Sequence, residues 1–127
     1  KICNNMILGV TMHATCEAFA LADGLGLSRQ ALYDVVSSSS GQSWSMTTYC
    51  PAPGVGPQSP ADNDYQPGFS ADLMLKDLSL SQQAANASGT QTALGEHARA
   101  LYEAYVEQGH GGRDFSAILE GLLPPRR

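Results

Sequence analysis

Residues 1–24, KICNNMILGVTMHATCEAFALADG, decide the fold. Apolar side chains recur through the stretch at Ile2, Met6, Leu8, Val10, Met12, Ala14, Phe19, Ala20 and Leu21. No proline interrupts them, and little polar surface is left between them. This pattern predicts one long helix over 1–23, apolar nearly all round and therefore central to the molecule. Gly24 is the expected stop, in the left-handed position that ends many helices.

Working outward, Ser28 is placed to cap a second helix, whose buried stripe is expected at Leu32, Val35 and Val36. The run Ser37–Gly41 ends it. From Trp44 to Pro67 the helical pattern breaks, because five of the seven prolines fall there (Pro51, Pro53, Pro57, Pro60 and Pro67). No helix is expected in that segment. Trp44, Tyr49 and Tyr65 are costly to leave in water, so the segment reads as an ordered, irregular excursion packed on the helices. Long loops of this kind inside compact domains are usually functional.

Ser70 starts a third helix that runs to about Ala87. Phe69, Leu73, Lys76, Leu80 and Ala84 share one face of it. Gly89 breaks this helix, and Thr90 or Thr92 caps the next, with Leu94, Leu101 and Tyr105 expected inward and Gly109 at its end. Gly109-His110-Gly111-Gly112 reads as a turn, too short to cradle a phosphate. Asp114 caps a last short helix over Phe115–Leu123, stopped by Pro124-Pro125. No segment has strand periodicity. The fold class is all-α, one domain spanning 1–127.

Composition removes several function classes. The net charge is -5, and Arg126-Arg127 is the one basic cluster, so a nucleic-acid partner is not expected. No apolar run reaches the length of a membrane span. No secretory leader is visible. The three cysteines (Cys3, Cys16, Cys50) form no C-x-x-C pair, which predicts reduced thiols. His13, His97 and His110 are not at zinc-ligand spacing with them, so no metal is expected. Only 15% of residues are charged, against about a quarter in a typical domain. That shortfall suggests surface covered by another domain or subunit. The chain opens on Lys1 with a helical pattern already under way, which leads to the expectation of a longer protein.

Two clusters break the pattern. Lys1, Asn4 and Asn5 fall on one side of the first helical turn. Paired asparagines cost helix stability. They form either an exposed polar turn or a grip for a small polar ligand. Lys76 sits on a stripe where an apolar residue was expected. It is either a snorkelling lysine or a cation aimed at a ligand, and Asp77 beside it is either a surface carboxylate or a local partner for a cation.

Taken together these residues resemble a family. Lys1-Ile2-Cys3-Asn4-Asn5 resembles the K-x-x-N-N signature of the beta-hydroxyacid dehydrogenases, which include tartronate semialdehyde reductase and, more distantly, 6-phosphogluconate dehydrogenase. Glu17-Ala18 and Gly24–Leu27 resemble the end of that family's long central helix. Gly68-Phe69 with Leu73-Met74-Leu75-Lys76-Asp77-Leu78 resembles its second signature. Ser40-Gly41-Gln42-Ser43-Trp44, Tyr49–Val55, Asp64-Tyr65-Gln66 and Asp114–Ile118 resemble the branch that oxidises 3-hydroxyisobutyrate to methylmalonate semialdehyde in valine catabolism.

The resemblance implies a helical C-terminal domain of the 6-phosphogluconate dehydrogenase type, built on a long central helix and used for substrate binding and dimerisation. It implies NAD as cofactor and a small hydroxyacid as substrate. An N-terminal Rossmann domain of the same protein, absent from this chain, is the expected partner, within a homodimer or homotetramer. The implied roles are Lys1 as the catalytic lysine, Asn5 as substrate holder with Asn4 secondary, and Lys76 as the lysine reaching the cofactor. Phe69 and Asp77 line the same cleft. A lysine suits the reaction because the substrate hydroxyl must lose a proton as hydride leaves its carbon. Lysines do this where burial and nearby positive charge bring their pKa toward neutrality. Neutral asparagines beside it orient the hydroxyl without raising that pKa. The chain by itself is expected to be inactive. The compartment implied is the bacterial cytoplasm, which is preferred, or the mitochondrial matrix. The alternatives are a tartronate semialdehyde reductase-like enzyme and a non-catalytic helical dimerisation module.

Overall fold

A computed structural model describes residues 1–123. It contains five α-helices: α1 (Ile2–Gly24), α2 (Arg29–Val36), α3 (Trp44–Thr47), α4 (Ala71–Ser88) and α5 (Ala93–Tyr105). Shorter 3-10 segments cover Pro60–Asn63 and Phe115–Leu122, and a π-type turn covers Val106–His110. Among the described residues no strand forms, and Ser70 and Asp114 make a single antiparallel bridge. No described helix is long and apolar enough to cross a membrane. Pro124-Pro125, expected to stop the last helix, and the basic pair Arg126-Arg127 lie outside the described residues.

α1 is the central element, as its length and composition predict. It packs against α4, α5 and the Phe115–Leu122 segment, with α2 and α3 on its flank. Met12, Cys16 and Phe19 of α1 meet Met74, Leu78, Tyr102, Phe115 and Leu119 in one core. The expectation that α1 is buried nearly all round needs correction. Asn5, Gly9, Met12, Cys16 and Phe19 face the core, but Ile7 is 58% exposed and Leu21 64% exposed. Among the described residues nothing covers Ile7 and Leu21 on its outer face.

The end of α1 also differs from expectation. Gly24 is still helical, and the left-handed residue is Gly26, at φ +75. Leu27 N–H bonds Ala22 C=O (2.9 Å) and Gly26 N–H bonds Asp23 C=O (3.1 Å), the two reverse bonds of a Schellman ending. Ser28 caps α2 as expected, accepting from Ala31 N–H at 3.0 Å. The α2 stripe is shallower than predicted: Leu32 and Val36 are half-buried and Val35 faces solvent.

The proline-rich segment is ordered and packed, as expected, but it is not free of helix. Ser43 starts the single turn of α3, accepting from Met46 N–H at 3.3 Å. Ser59 and Asp62 form a capping box for the 3-10 turn, with Pro60 at its first position, where proline's missing N–H costs nothing. Tyr65 Oη donates to Pro51 C=O and Ser59 Oγ donates to Cys50 C=O, both at 2.7 Å. These bonds satisfy buried polar groups in a segment with no ladder of its own.

α4 starts on Ser70, whose Oγ accepts from Leu73 N–H at 3.2 Å, and ends on Gly89 in the left-handed conformation. Its predicted stripe is reversed. Ala71, Met74, Leu78, Ser81 and Ala85 face the core, while Leu73, Lys76, Leu80 and Ala84 face outward. Two apolar stripes of equal period run along this helix, and period alone does not say which is buried. On α5 the expectation holds for Tyr105, and Leu101 is half-buried, but Leu94 is 71% exposed. Thr92 occupies the cap position without capping, because its hydroxyl donates to Gln82 Oε1 at 3.0 Å. Asp114 caps the last segment by accepting from Ser116 N–H, and that segment winds as a 3-10 helix.

Candidate active site

The first turn of α1 and the middle of α4 meet where the two unusual clusters lie. Asn5 Nδ2 donates to Asp77 Oδ2 at 2.6 Å, across 72 residues of sequence. Asn4 Nδ2 donates to Asn5 Oδ1 at 3.1 Å. The bond to Asp77 fixes which end of the Asn5 amide is the donor, so its oxygen is turned to Asn4. Asn5 is buried, Asp77 half-buried and Asn4 exposed. Charge-assisted bonds of this kind are shorter and stronger than neutral ones.

Lys1 and Lys76 are both exposed. Lys1 lies at the mouth of this cluster, its carbonyl accepting the Asn5 N–H at 2.9 Å. Within the described residues neither ammonium is held by an ion pair. Because the outward stripe of α4 carries Lys76, its place among apolar residues no longer requires a buried ammonium. The structure joins Asn4, Asn5 and Asp77 directly. It joins neither lysine's ammonium to them by a hydrogen bond.

Beside Asn4 opens a cleft of about 430 Å3, lined by Asn4, Ile7, Leu8, Thr11, Ser43 and Trp44. One wall is aromatic. Trp44 stacks on Tyr49 with centroids 5.1 Å apart, Tyr49 lies 5.3 Å from Phe115, and Phe69 meets Phe115 edge-on at 5.5 Å. Phe69 therefore sits at the far end of this row and is half-buried. Its backbone N–H and that of Gly68 both donate to Asp114 Oδ1 at 3.0 Å. The same oxygen accepts from Tyr49 Oη at 2.6 Å, and Oδ2 accepts from the N–H and hydroxyl of Ser116. Burial, with the Asp114 carboxylate next in effect, pushes the Tyr49 hydroxyl far above the usual phenol range.

Sequence reasoning gave Asp114 only a local capping role and used Trp44 only as a sign of order. The signal for Trp44 as a cleft wall was the Ser43 cap in front of it, which sets its ring on the first residue of a helix. For the tertiary role of Asp114 no local signal exists, since its donors lie 45 to 65 residues away.

The remaining expected residues are placed without chemistry. His13 is buried against Glu17, and His110 packs tilted against Tyr105 with ring centroids 4.8 Å apart. Cys16 and Cys50 are buried free thiols and Cys3 is an exposed one. Burial raises the Cys16 thiol well above its ordinary range, which makes it inert. Among the described residues no three His, Cys, Asp or Glu side chains are grouped to hold a metal.

For a nicotinamide dinucleotide the donor set fits in part. On α4 the Lys76 cation is exposed, with Leu73 and Leu80 exposed on the same face. A phosphate cradle is not formed by the described glycine turn, because buried Gly111 lies against the Asp72 carboxylate, whose charge repels a phosphate.

Comparison with known proteins bears on the family and the fold. Residues 1–122 match the family model described as NAD-binding of NADP-dependent 3-hydroxyisobutyrate dehydrogenase. A probable 3-hydroxyisobutyrate dehydrogenase of Mycobacterium tuberculosis is 48% identical over 122 residues, covering 96% of this chain and 41% of the relative. An NAD-dependent L-serine dehydrogenase of Pseudomonas aeruginosa is 45% identical over 125 residues, covering 98% of this chain and 42% of the relative. A solved structure of the Mycobacterium tuberculosis 3-hydroxyisobutyrate dehydrogenase with L-serine superposes with a TM-score of 0.91 at 48% identity, covering 96% of this chain and 42% of that one. The chain thus spans about two fifths of the length of these relatives. Its two signatures, its helical fold and a match over nearly its whole length place it in one group: the chain belongs to the NAD-binding domain family of the 3-hydroxyisobutyrate dehydrogenases, within the beta-hydroxyacid dehydrogenases.

Proposed function

We propose that this chain forms the helical half of the active site of an NAD-dependent dehydrogenase that oxidises the primary alcohol of 3-hydroxyisobutyrate. A Rossmann domain elsewhere in the protein completes the site. The observation that carries this reading is the Asn4–Asn5–Asp77 chain of hydrogen bonds, which ties the first signature to the second beside an open cleft. A merely polar helix end has no reason to bury one of its asparagines against a carboxylate on another helix.

In this reading Lys1 Nζ takes the proton of the substrate hydroxyl and returns it in the reverse direction. NAD, when bound, supplies the hydride acceptor. Asn5 holds the substrate hydroxyl and Asn4 assists from the mouth of the cleft. Asp77 acts as a positioning residue, holding the Asn5 amide in one orientation. Lys76 is the residue that reaches the cofactor. Phe69 stands at the far end of the aromatic row that begins with Trp44 at the cleft.

L-serine is the second reading, favoured by the Pseudomonas relative's name. Both compounds present a CH2OH group one carbon away from a carboxylate, so the same proton transfer serves either. The test is the protein in its natural full length, assayed for NADH formation with each compound. Lys1→Ala is expected to lower turnover by about 10²–10⁴-fold with an unchanged helical circular dichroism signal. Full activity in that variant refutes the role of Lys1. The larger kcat/KM of the two compounds decides the substrate.

A further inference from the structure

C2 of 3-hydroxyisobutyrate carries, beside the CH2OH group that reacts, a carboxylate and a methyl. The cleft next to Asn4 suits only one of these two. Its lining residues, Asn4, Ile7, Leu8, Thr11, Ser43 and Trp44, bear no charge. The hydroxyl oxygens among them are already bonded within the chain. Thr11 Oγ1 donates to Leu8 C=O at 3.3 Å and is paired with Ser45 Oγ at 3.1 Å, and Ser43 Oγ accepts from Met46 N–H at 3.3 Å. A carboxylate placed here would leave water without gaining a cation, which is costly. An alkyl group would gain apolar walls from Ile7, Leu8 and Trp44.

The cleft is also larger than a methyl requires. At about 30 Å3 for each non-hydrogen atom, the share of a water in the liquid, a methyl fills less than about a tenth of its 430 Å3. The aromatic wall is held from behind rather than free to fold in. Trp44 stacks on Tyr49, whose hydroxyl donates to the fully buried Asp114 at 2.6 Å. Walls that cannot collapse leave a void beside a small substituent, and a void costs contacts. Asn4 lines the cleft and bonds Asn5, so a substrate held by its hydroxyl at Asn5 has C2 beside the cleft. Ile7, three residues beyond Asn4 on the same side of α1, is the first apolar side chain that a C2 substituent meets.

We propose that this cleft takes the C2 substituent, and that the substrate class is 3-hydroxypropionates bearing at C2 an uncharged apolar group larger than methyl, with Ile7 setting its size limit. This rests on the dehydrogenase reading. The reaction is the same for every substituent: the CH2OH group becomes an aldehyde, its hydride reduces NAD to NADH, and its hydroxyl proton passes to Lys1 Nζ.

The protein in its natural full length is assayed for NADH formation with 3-hydroxypropionate carrying methyl, ethyl, propyl or benzyl at C2. The kcat/KM is expected to rise about fourfold for each methylene from methyl to propyl, the effect of one more buried CH2, and the benzyl compound is expected to be oxidised. Ile7→Trp fills the cleft and is expected to lower the propyl-to-methyl ratio of kcat/KM by about tenfold or more. The ratio compares two substrates on one sample, so partial misfolding does not move it. Turnover of the methyl compound with a lower kcat/KM for propyl, the result if another part of the protein fills the cleft, overturns the proposal and leaves the dehydrogenase reading standing. So does a propyl-to-methyl ratio that Ile7→Trp leaves unchanged. Oxidation of none of the four compounds overturns both.

Discussion

Asp114 is fully buried, and its carboxylate gathers five donors from Tyr49, Gly68, Phe69 and Ser116. It thereby locks the proline-rich segment, the Gly68-Phe69 turn and the last helix to one another. Asp114→Ala leaves the two fully buried donors, the N–H and hydroxyl of Ser116, without their acceptor, each costing about 1–3 kcal/mol. The expected loss is about 4 kcal/mol in urea unfolding, and a loss below about 1 kcal/mol would remove Asp114 from this role. His13 makes a different demand. Burial holds its imidazole below the ordinary range, exposed His97 adds to this, and Glu17 opposes it. The unfolded chain therefore takes the proton first as pH falls, and the stability tied to neutral His13 is complete above about 6.5 and lost below it. His13→Gln should narrow the difference between urea midpoints at about pH 7.5 and about pH 5.5, and an unchanged difference rules this out. At this scale the sequence pointed to Asn5 and Asp77 because both lie in local signatures. Asp114 stayed hidden because its partners are distant along the chain.

Among the elements, helix ends were more legible than helix faces. Ser28, Ser70 and Asp114 cap where their spacing predicts, since capping is decided within three residues. Faces are decided by what packs on them. The Leu73–Leu80 stripe of α4 and the Ile7–Leu21 stripe of α1 have the right period and still point outward. Leu94 and Val35 fail for the same reason. The ending of α1 sits between these cases, because Gly24 and Gly26 are both in reach and only the backbone geometry chooses. Gly26 is the residue at φ +75, whereas Gly24 has no such requirement. Gly26→Ala should cost about 1 kcal/mol, while Gly24→Ala, inside the helix and with nothing within 4 Å of an added Cβ, should stabilise by a few tenths to about 1 kcal/mol. Thermal melts of the two variants that move in the same direction would contradict the assignment of Gly26 as the left-handed residue.

At the scale of the whole molecule, the outward apolar stripes of α1 and α4 and the exposed Lys76 accord with the helical half-site proposed above. The cleft beside Asn4 is open, Lys76 on α4 faces solvent, and the described glycine turn is already occupied by the Asp72 carboxylate. A dinucleotide gets most of its affinity from backbone amides at a helix start in a glycine-rich loop, and a single exposed ammonium adds little in water. The 127-residue chain by itself should therefore give no NAD-dependent turnover and almost no heat on titration with NAD, even where its helical signal is intact. Joined to the nucleotide-binding part of a relative such as the Mycobacterium tuberculosis enzyme, with which it shares 48% identity, it should gain turnover that depends on Lys1. Micromolar NAD binding by the isolated chain would mean that the cofactor's main contacts lie on these helices, and that the division of labour between the two halves is the reverse of the one proposed.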